Sequence, residues 1–386
     1  MFRDLSLQAV TAGLLAAFVG SASSFAVVIA GLTAIGADPA EATSGLMALS
    51  LAMGFSAIIL SLRLRQPVSI AWSTPGAALL ASSAALDGGF ATAVAAFLIA
   101  GALVVLAGLI RPFGRAVAAI PAPLANAMLA GVLLGLCIAP VKAVAAYPVA
   151  GLLVFLTWAV VGRIRPLMAV PAAVVATIVA IVLLVDAPGG TVGEIVARPV
   201  FVVPEFGLTA LGLAVPLFVV TMASQNIPGI AVLNVNGYRP EPGPLFTATG
   251  IFSLLAAPFG GHAVNLAAIT AALCAGPEAH PDPARRYWAA IVAGIFYIVF
   301  GAFAGAATAL AAVAPPVLIQ AVAGLALLGS FASAVVGAVK DEGARQAAIV
   351  TFVTTASGLA FAGVSGAFWG LLAGGAMLGL TRMMQR

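Results

Sequence analysis

The stretches 66–86, QPVSIAWSTPGAALLASSAAL, and 257–276, APFGGHAVNLAAITAALCAG, interrupt two apolar regions with proline, glycine and polar residues. In the first, Gln66-Pro67 and the β-prone residues 68–70 precede a short helix that is predicted to begin at 73–76. In the second, the short helix is predicted to begin at Gly260-Gly261-His262. Because proline and glycine disfavour helix interiors, each stretch predicts a half-helix that follows a short extended segment.

Composition sets the class of the protein. The 386-residue chain is 63% hydrophobic and 7% charged, with a mean hydropathy of +1.19, whereas soluble domains carry about 25% charged residues. This predicts an all-α polytopic membrane protein. The first apolar run, from about Val10 to Ile35, is long enough to span, which argues against a cleavable signal peptide. Cys137 and Cys274 lie in apolar runs and are interpreted as small core residues.

Cutting the chain at its charged, proline-rich and glycine-rich breaks predicts fourteen spans, two of them too short to cross alone. They are 8–35, 41–62, 75–86, 90–110, 121–140, 144–162, 166–186, 207–227, 243–256, 261–275, 286–309, 314–337, 343–362 and 364–383. With both termini in the cytoplasm, fourteen of the sixteen lysines and arginines fall inside and only Lys142 and Arg198 outside. This bias supports the topology and explains the net charge of +4 without a nucleic-acid partner.

The chain divides at its longest polar connection, residues 187–206. Seven predicted spans precede it, in residues 1–186, and seven follow it, in residues 207–386. An odd number of spans per half makes the second half enter the membrane from the opposite side, which predicts an inverted repeat. The third element is the interrupted one in each half, and such matched interruptions are typical of the central site of a secondary transporter.

A half-helix that begins inside the membrane presents unpaired backbone amides and a partial positive charge, which favour an anion. All twelve acidic residues fall in loops or at span ends, and His280 lies in a polar loop. His262 is therefore the readily titratable side chain that the predicted spans place in the membrane interior, and ionisable residues in the membrane interior indicate function. Its pKa near 6.5 in water suits it to load and release a proton.

Three motifs point to a known family: AWSTPGAALL (71–80), SQNIPGIAVL (224–233) and GGHAVNLAAITAALCAGPEAHPDPARRY (260–287). Over nearly the whole chain the sequence resembles the BenE family of benzoate:proton symporters. The resemblance implies import of benzoate, or of a similar aromatic carboxylate, with a proton across a bacterial inner membrane.

The layout also resembles, more remotely, the uracil/xanthine permeases and sulfate-type anion transporters. That resemblance implies a seven-plus-seven inverted repeat in which a core domain, roughly 8–110 plus 207–309, moves against a gate domain, roughly 119–186 plus 314–383. One departure is that the permeases carry acidic residues near the positions of Gln225-Asn226 and His262 to Asn265. Nucleobase coordination by a carboxylate is therefore not expected.

The candidate binding residues share a position at or near a predicted break. The carboxylate is expected near the half-helix starts and polar donors, and the ring against an aromatic wall. The candidates are Ser73, Thr74, Pro75, Gly76, Gly261, His262, Asn265, Gln225, Asn226, Ser23, Ser24, Phe25, Trp72 and Phe259. Structural alternatives stay open: His262 as a helix cap, Asn265 as interhelical glue on the same helix face as His262, Trp72 as packing, and Ser23 and Ser24 as small contact residues.

The competing functions are a nucleobase or inorganic-anion transporter of the same architecture and, next, an anion channel. An enzyme is not expected, because the chain shows neither an HExxH zinc motif nor a nucleophile elbow. No cofactor and no metal are expected, and the lack of a GxxxxGK[ST] loop indicates that a gradient drives transport. The expected partners are a small aromatic carboxylate, a proton and the lipid bilayer, while a homodimer is left open.

Overall fold

The structure, a computed structural model, is mostly helical. It describes residues 4–83, 86, 88–112, 114, 120–184, 195–267, 269–313, 315–361 and 364–384. The first half contains α1 (Leu7–Ala34), α2 (Pro39–Leu64), β1 (Ile70–Trp72), α3 (Thr74–Ser82), α4 (Gly89–Leu109), α5 (Ala122–Cys137), α6 (Ala139–Ala146), α7 (Pro148–Ile164) and α8 (Ala169–Leu184).

The second half contains a similar order of elements. They are α9 (Leu208–Thr221), a π-helical turn (Met222–Asn226), α10 (Ile227–Val235), α11 (Pro242–Ala256), β2 (Val264–Leu266), α12 (Ile269–Ala275), α13 (Tyr287–Ala302), α14 (Ala304–Val313), α15 (Pro316–Val339), α16 (Arg345–Ala356), β3 (Ala360–Phe361), β4 (Val364–Ser365) and α17 (Gly366–Met384).

Helices occur in all fourteen predicted intervals. Within the described residues, eight helical stretches are at least 18 residues long and apolar enough to cross a bilayer. The chain is therefore a multi-pass membrane protein. Several predicted spans are not single helices. The span 121–140 is divided at Ile138, 144–162 at Tyr147 and 286–309 at Phe303, while 207–227 contains the π-helical turn and 261–275 and 343–362 each contain a strand. The number of membrane crossings stays a prediction.

Local chemistry fixes several helix starts. Asp38 accepts a hydrogen bond from the Glu41 amide, and the Glu41 carboxylate accepts one from the Asp38 amide, so a complete capping box begins α2. Ser6 caps α1 in a similar way through the Ala9 amide. These caps satisfy backbone donors that a helix start otherwise leaves open.

Helices of the two halves pack against each other. α2 packs on α13, α4 on α11, and α5 on α15. At the α2–α13 contact, a Cβ built on Gly294 would lie 2.8 Å from the Gly54 carbonyl oxygen. Only glycine allows this close approach, which is a common way to pack helices in a bilayer.

Residues 195–206, the described part of the predicted connection, cross one end of the molecule in an extended form. Four of their amides donate hydrogen bonds: Ala197 to Ala302 O, Val200 to Ser44 Oγ, Val202 to Pro258 O and Glu205 to Ala91 O. At another end, Asp4 accepts hydrogen bonds from the Tyr287 hydroxyl and from Arg285. The segments predicted outside thus contact one another, and so do those predicted inside.

Candidate functional site

The two interrupted segments meet in a short antiparallel ladder. β1 pairs with β2 in the register Ile70 with Leu266, Ala71 with Asn265 and Trp72 with Val264. The Ser73 amide donates to Ala263 O at 3.0 Å and the Ala267 amide to Ser69 O at 2.9 Å, which extends the pairing. Backbone polar groups inside a membrane protein need internal partners, so the ladder explains how two non-helical segments are tolerated there.

Ser73 organises the start of α3. Its Oγ accepts hydrogen bonds from the Gly76 amide at 3.1 Å and from Thr221 Oγ1 at 3.0 Å. Its carbonyl oxygen accepts from the Ala77 amide at 2.8 Å. Pro75 has no amide hydrogen, and the Gly76 amide is bonded to Ser73 Oγ. The Thr74 amide is therefore the first-turn donor that remains without an intrahelical partner.

A small cavity of about 70 Å³ lies beside this helix start. Its polar wall includes Thr74 at the start of α3 and Gln225 in the π-helical turn. The aromatic part of the wall consists of Trp72 and Tyr297, whose side chains are almost wholly buried. The remaining lining residues are Val19, Gly20, Ser24, Met53, Ala71, Ala267 and Thr270. The cavity therefore combines donors at a helix start with an aromatic and apolar surface.

The π-helical turn brings Gln225 and Asn226 to different neighbours. Gln225 lines the cavity, whereas Asn226 is fully buried and its Oδ1 accepts the Leu266 amide at 3.0 Å. Asn226 also donates to Met222 Sδ at 3.3 Å. Because the extra residue of a π-turn rotates the helix, such turns often occur at functional sites. The predicted span 207–227 is therefore not one regular helix at its end.

The second half-helix begins later than predicted. The prediction of a start at Gly260-Gly261-His262 is wrong, since α12 begins at Ile269. Gly260 has a φ of 87°, which ends the preceding helical turn, and the following chain is extended to pair with β1. His262 and Asn265 therefore do not share a helix face, and Gly261 is not at a helix start.

His262 is fully buried behind the start of α3. Its Nε2 lies 2.9 Å from the Ser73 carbonyl oxygen, and its ring meets Phe97 edge to face at 6.2 Å between centroids. A carbonyl oxygen only accepts, so Nε2 carries the hydrogen and donates it. Nδ1 has no hydrogen-bond partner among the described residues. His262 thus contacts the helix cap and does not line the cavity.

The structure brings four of the predicted site residues to the cavity wall: Ser24, Trp72, Thr74 and Gln225. Ser24 accepts a hydrogen bond from Trp72 Nε1 at 2.8 Å and donates to Gly20 O at 2.7 Å, so its hydroxyl is engaged within the protein. The other candidates do not line it: Ser73, Pro75, Gly76, Gly261, His262, Asn265, Asn226, Phe25 and Phe259. The Ser23 side chain lies outside the described residues.

Three of the candidates that do not line the cavity lie in the core, in a separate groove and in the ladder. Phe25 is buried in the core. Phe259 lines a separate apolar groove between α2 and α11 and packs edge to face on Phe201. Asn265 lies opposite Ala71 in the ladder; its Nδ2 donates to Leu266 O, and its buried Oδ1 has no partner among the described residues.

Sequence reasoning missed most of the apolar wall. Met53 of α2 and Tyr297 of α13 come from helices that carry no interruption. Tyr297 is one of four tyrosines and is 1% exposed within an apolar span, and such a buried phenol was the signal available. No feature of the sequence singled out Gly20, although a Cβ there would lie 2.9 Å from the Tyr297 hydroxyl.

Within the described ranges no group of three His, Cys, Asp or Glu side chains is arranged to hold a metal ion.

A multi-pass helical protein with a polar and aromatic cavity at paired helix interruptions belongs to the class of membrane transporters, and solved structures share the fold. The transmembrane domain of the cyanobacterial bicarbonate transporter BicA aligns with a TM-score of 0.60 at 18% identity, covering 100% of this chain and 97% of the other. SLC26A9 aligns with a TM-score of 0.67 at 14% identity, covering 100% and 66%. The resemblance to uracil/xanthine permeases stays a prediction.

Similarity of sequence identifies the family, whereas the solved structures share only the fold. Residues 3–380 match the BenE family, described as benzoate membrane transport protein. Inner membrane protein YdcO of Escherichia coli is 42% identical over 369 residues, covering 94% of this chain and 93% of the relative. The benzoate membrane transport protein of Acinetobacter baylyi is 33% identical over 376 residues, covering 96% and 94%. The chain belongs to the BenE family of membrane transporters.

Proposed function

We propose that this protein is a secondary active transporter that imports benzoate, or a similar aromatic carboxylate, together with a proton by alternating access. The proposal rests on the cavity at the start of α3, where Thr74 and Gln225 face an aromatic wall. The 33% identical Acinetobacter baylyi relative, which bears the name benzoate membrane transport protein, supports this class of substrate.

The carboxylate head binds at Thr74. A helix start favours an anion through its partial positive charge, and Thr74 adds a hydroxyl and a free amide to that field. Gln225 supplies a neutral amide donor to the same cavity. Hydrogen bonds to a charged group are stronger than those between neutral groups, so these donors select for an anion without a buried cation.

The aromatic ring lies against the apolar wall. Trp72 and Tyr297 offer ring surfaces, and Met53 offers a flexible thioether that packs well on aromatic rings. The Trp72 ring is fixed by its hydrogen bond to Ser24, so its face has a defined orientation. A rigid aromatic wall favours a flat ring over a flexible chain of similar size.

His262 couples the proton to the substrate through Ser73. The hydrogen bond to the Ser73 carbonyl keeps a hydrogen on Nε2, which leaves Nδ1 to take the second one. Ser73 is the N-cap of α3 and directly precedes Thr74. A proton on His262 places a positive charge behind the helix start that holds the carboxylate, so each favours binding of the other. One proton with one carboxylate is electroneutral, which lowers the cost of moving the loaded site.

Alternating access follows from a seven-plus-seven inverted repeat with a moving core domain. All eleven cavity-lining residues fall within the predicted core segments, 8–110 and 207–309. The ladder between β1 and β2 joins the interrupted elements of the two halves. We infer that the core carries the site past a gate domain formed by 119–186 and 314–383.

The protein resides in a bacterial inner membrane with both termini in the cytoplasm. The positive-inside distribution of arginine and lysine supports this orientation. The contacts of Asp4 with Arg285 and Tyr287 agree with the N-terminus and the loop before α13 sharing one side, as this topology requires.

An inorganic anion is the second candidate substrate. The cavity of about 70 Å³ is much smaller than the ~300–1,000 Å³ of pockets for drug-sized ligands, and a compact anion fits such a volume. The fold neighbour BicA is named as a bicarbonate transporter.

A competition panel in proteoliposomes separates the candidates. Labelled benzoate uptake is measured under an imposed pH gradient, with excess unlabelled benzoate, sulfate, bicarbonate or uracil outside. We expect benzoate alone to compete, and uptake to saturate and to support counterflow. Uptake of labelled sulfate or bicarbonate in the same proteoliposomes, with no uptake of labelled benzoate, would favour the inorganic anion, and uptake that does not saturate would favour a channel.

A further inference from the structure

A second and larger cavity, of about 780 Å³, lies beside the ends of two helices and shares no lining element with the start of α3. It is formed where α4 ends, where α11 begins and along α10. The loops at these helix ends are predicted to be cytoplasmic, so the cavity lies at the depth of the inner lipid headgroups. None of its lining residues lines the cavity at α3.

Its walls are apolar and partly face the bilayer. Leu109 is 64% exposed and Ile227 is 38% exposed, and Ile230 and Phe246 line the interior. Gly108 of α4 and Gly243 of α11 both line the cavity and lie close together: a Cβ built on Gly243 would lie 2.8 Å from the Gly108 carbonyl oxygen. Because neither residue has a side chain, the helix ends meet closely and neither glycine fills the cavity.

Two opposite charges line the same cavity. Arg111 follows the end of α4, and Glu241 is the N-cap residue of α11. The Glu241 carboxylate makes no capping hydrogen bond. Within the described ranges neither side chain forms a hydrogen bond or an ion pair, with the other or with a third residue. An unpaired guanidinium and an unpaired carboxylate above an apolar wall match a ligand that has a phosphate, an ammonium group and an acyl chain.

We propose that this cavity binds one phospholipid of the phosphatidylethanolamine type. Arg111 contacts the lipid phosphate, Glu241 accepts hydrogen bonds from the primary ammonium group, and an acyl chain lies along Leu109, Ile227 and Phe246. A lipid with phosphate alone leaves Glu241 unpaired beside a negative headgroup, and a trimethylated amine lacks hydrogen-bond donors. The site therefore distinguishes headgroups by the ammonium group.

The test uses the purified full-length protein, stripped of lipid in detergent, without substrate. Its melting temperature is measured with equal mole fractions of dioleoyl phosphatidylethanolamine, phosphatidylglycerol or phosphatidylcholine, and bound lipid from an equal mixture is counted by native mass spectrometry. The variants are Glu241→Gln and Arg111→Gln. Glu278→Gln and Arg163→Gln, at other exposed positions in predicted cytoplasmic loops, are the matched controls.

Phosphatidylethanolamine is expected to stabilise the wild type most and to be retained from the mixture. Glu241→Gln removes this preference and weakens apparent affinity for phosphatidylethanolamine about two- to fivefold, the usual size of an exposed charge pair. Arg111→Gln weakens binding of all three lipids, and the controls change nothing. Equal stabilisation by the three lipids, or a preference that survives in Glu241→Gln, overturns the proposal. Neither outcome bears on benzoate transport, because the assay contains no substrate.

Discussion

Replacing Thr74 with valine tests the anion site with the smallest change in shape. Valine matches threonine in volume and branching, so the substitution removes the Thr74 hydroxyl and leaves its amide in place. The hydroxyl makes no hydrogen bond to any described residue and lines the cavity, so its removal costs the folded protein little. The free energy that the substitution removes is therefore that of binding the carboxylate.

The magnitude follows from the chemistry of that contact. A hydrogen bond to a charged group contributes about 1.5–3 kcal/mol, which corresponds to about a 10- to 150-fold loss of benzoate affinity. Binding is measured by isothermal titration calorimetry on the purified variant, and the apparent KM by uptake into proteoliposomes. Thr381→Val is the matched control, since that partly buried hydroxyl bonds to its own helix at Met377 O. Wild-type affinity in a folded Thr74→Val protein would refute the placement of the carboxylate.

Three further predictions concern the surroundings of the cavity. Gly20→Ala places a methyl group 2.9 Å from the Tyr297 hydroxyl oxygen; this overpacking lowers benzoate affinity about tenfold, and adding Tyr297→Phe restores part of it in the same binding assay. Asn226→Ala leaves a buried β2 amide without its acceptor, so the free energy of unfolding falls by about 1–3 kcal/mol, whereas Asn236→Ala, at a helix end, leaves the melting temperature unchanged. His262→Gln keeps a donor to the carbonyl at the α3 N-cap but cannot titrate, so counterflow of benzoate persists while stimulation by a pH gradient disappears; full stimulation would remove His262 from coupling.

The class of the protein could be predicted from the sequence because apolar content is a property of the whole chain. The interruptions before α3 and α12 could also be predicted, since Pro67, Gly260 and Gly261 mark where helices stop. The extended form of residues 261–267, which were predicted to be helical, could not. Where the second short helix starts could not be predicted. That start depends on pairing between β2 and β1, which lie nearly two hundred residues apart, and nothing local to His262 reports it.

The same reason limited the prediction of the site. Thr74 and Gln225 lie at breaks that the sequence shows, so they were found. Met53 and Tyr297 enter the cavity only because α2 packs against α13, and uninterrupted helices carry no local mark of what they face. His262 was placed correctly at a break, but its hydrogen bond to Ser73 puts it behind the helix start and away from the cavity wall.

The most direct measurement is an experimental structure of the protein with benzoate bound. We predict a carboxylate oxygen about 2.7–3.2 Å from the Thr74 amide nitrogen or Oγ1, with the ring against Trp72 and Tyr297. Benzoate bound away from the start of α3, or bound there with its ring toward Thr74 and its carboxylate toward the aromatic wall, would contradict the account.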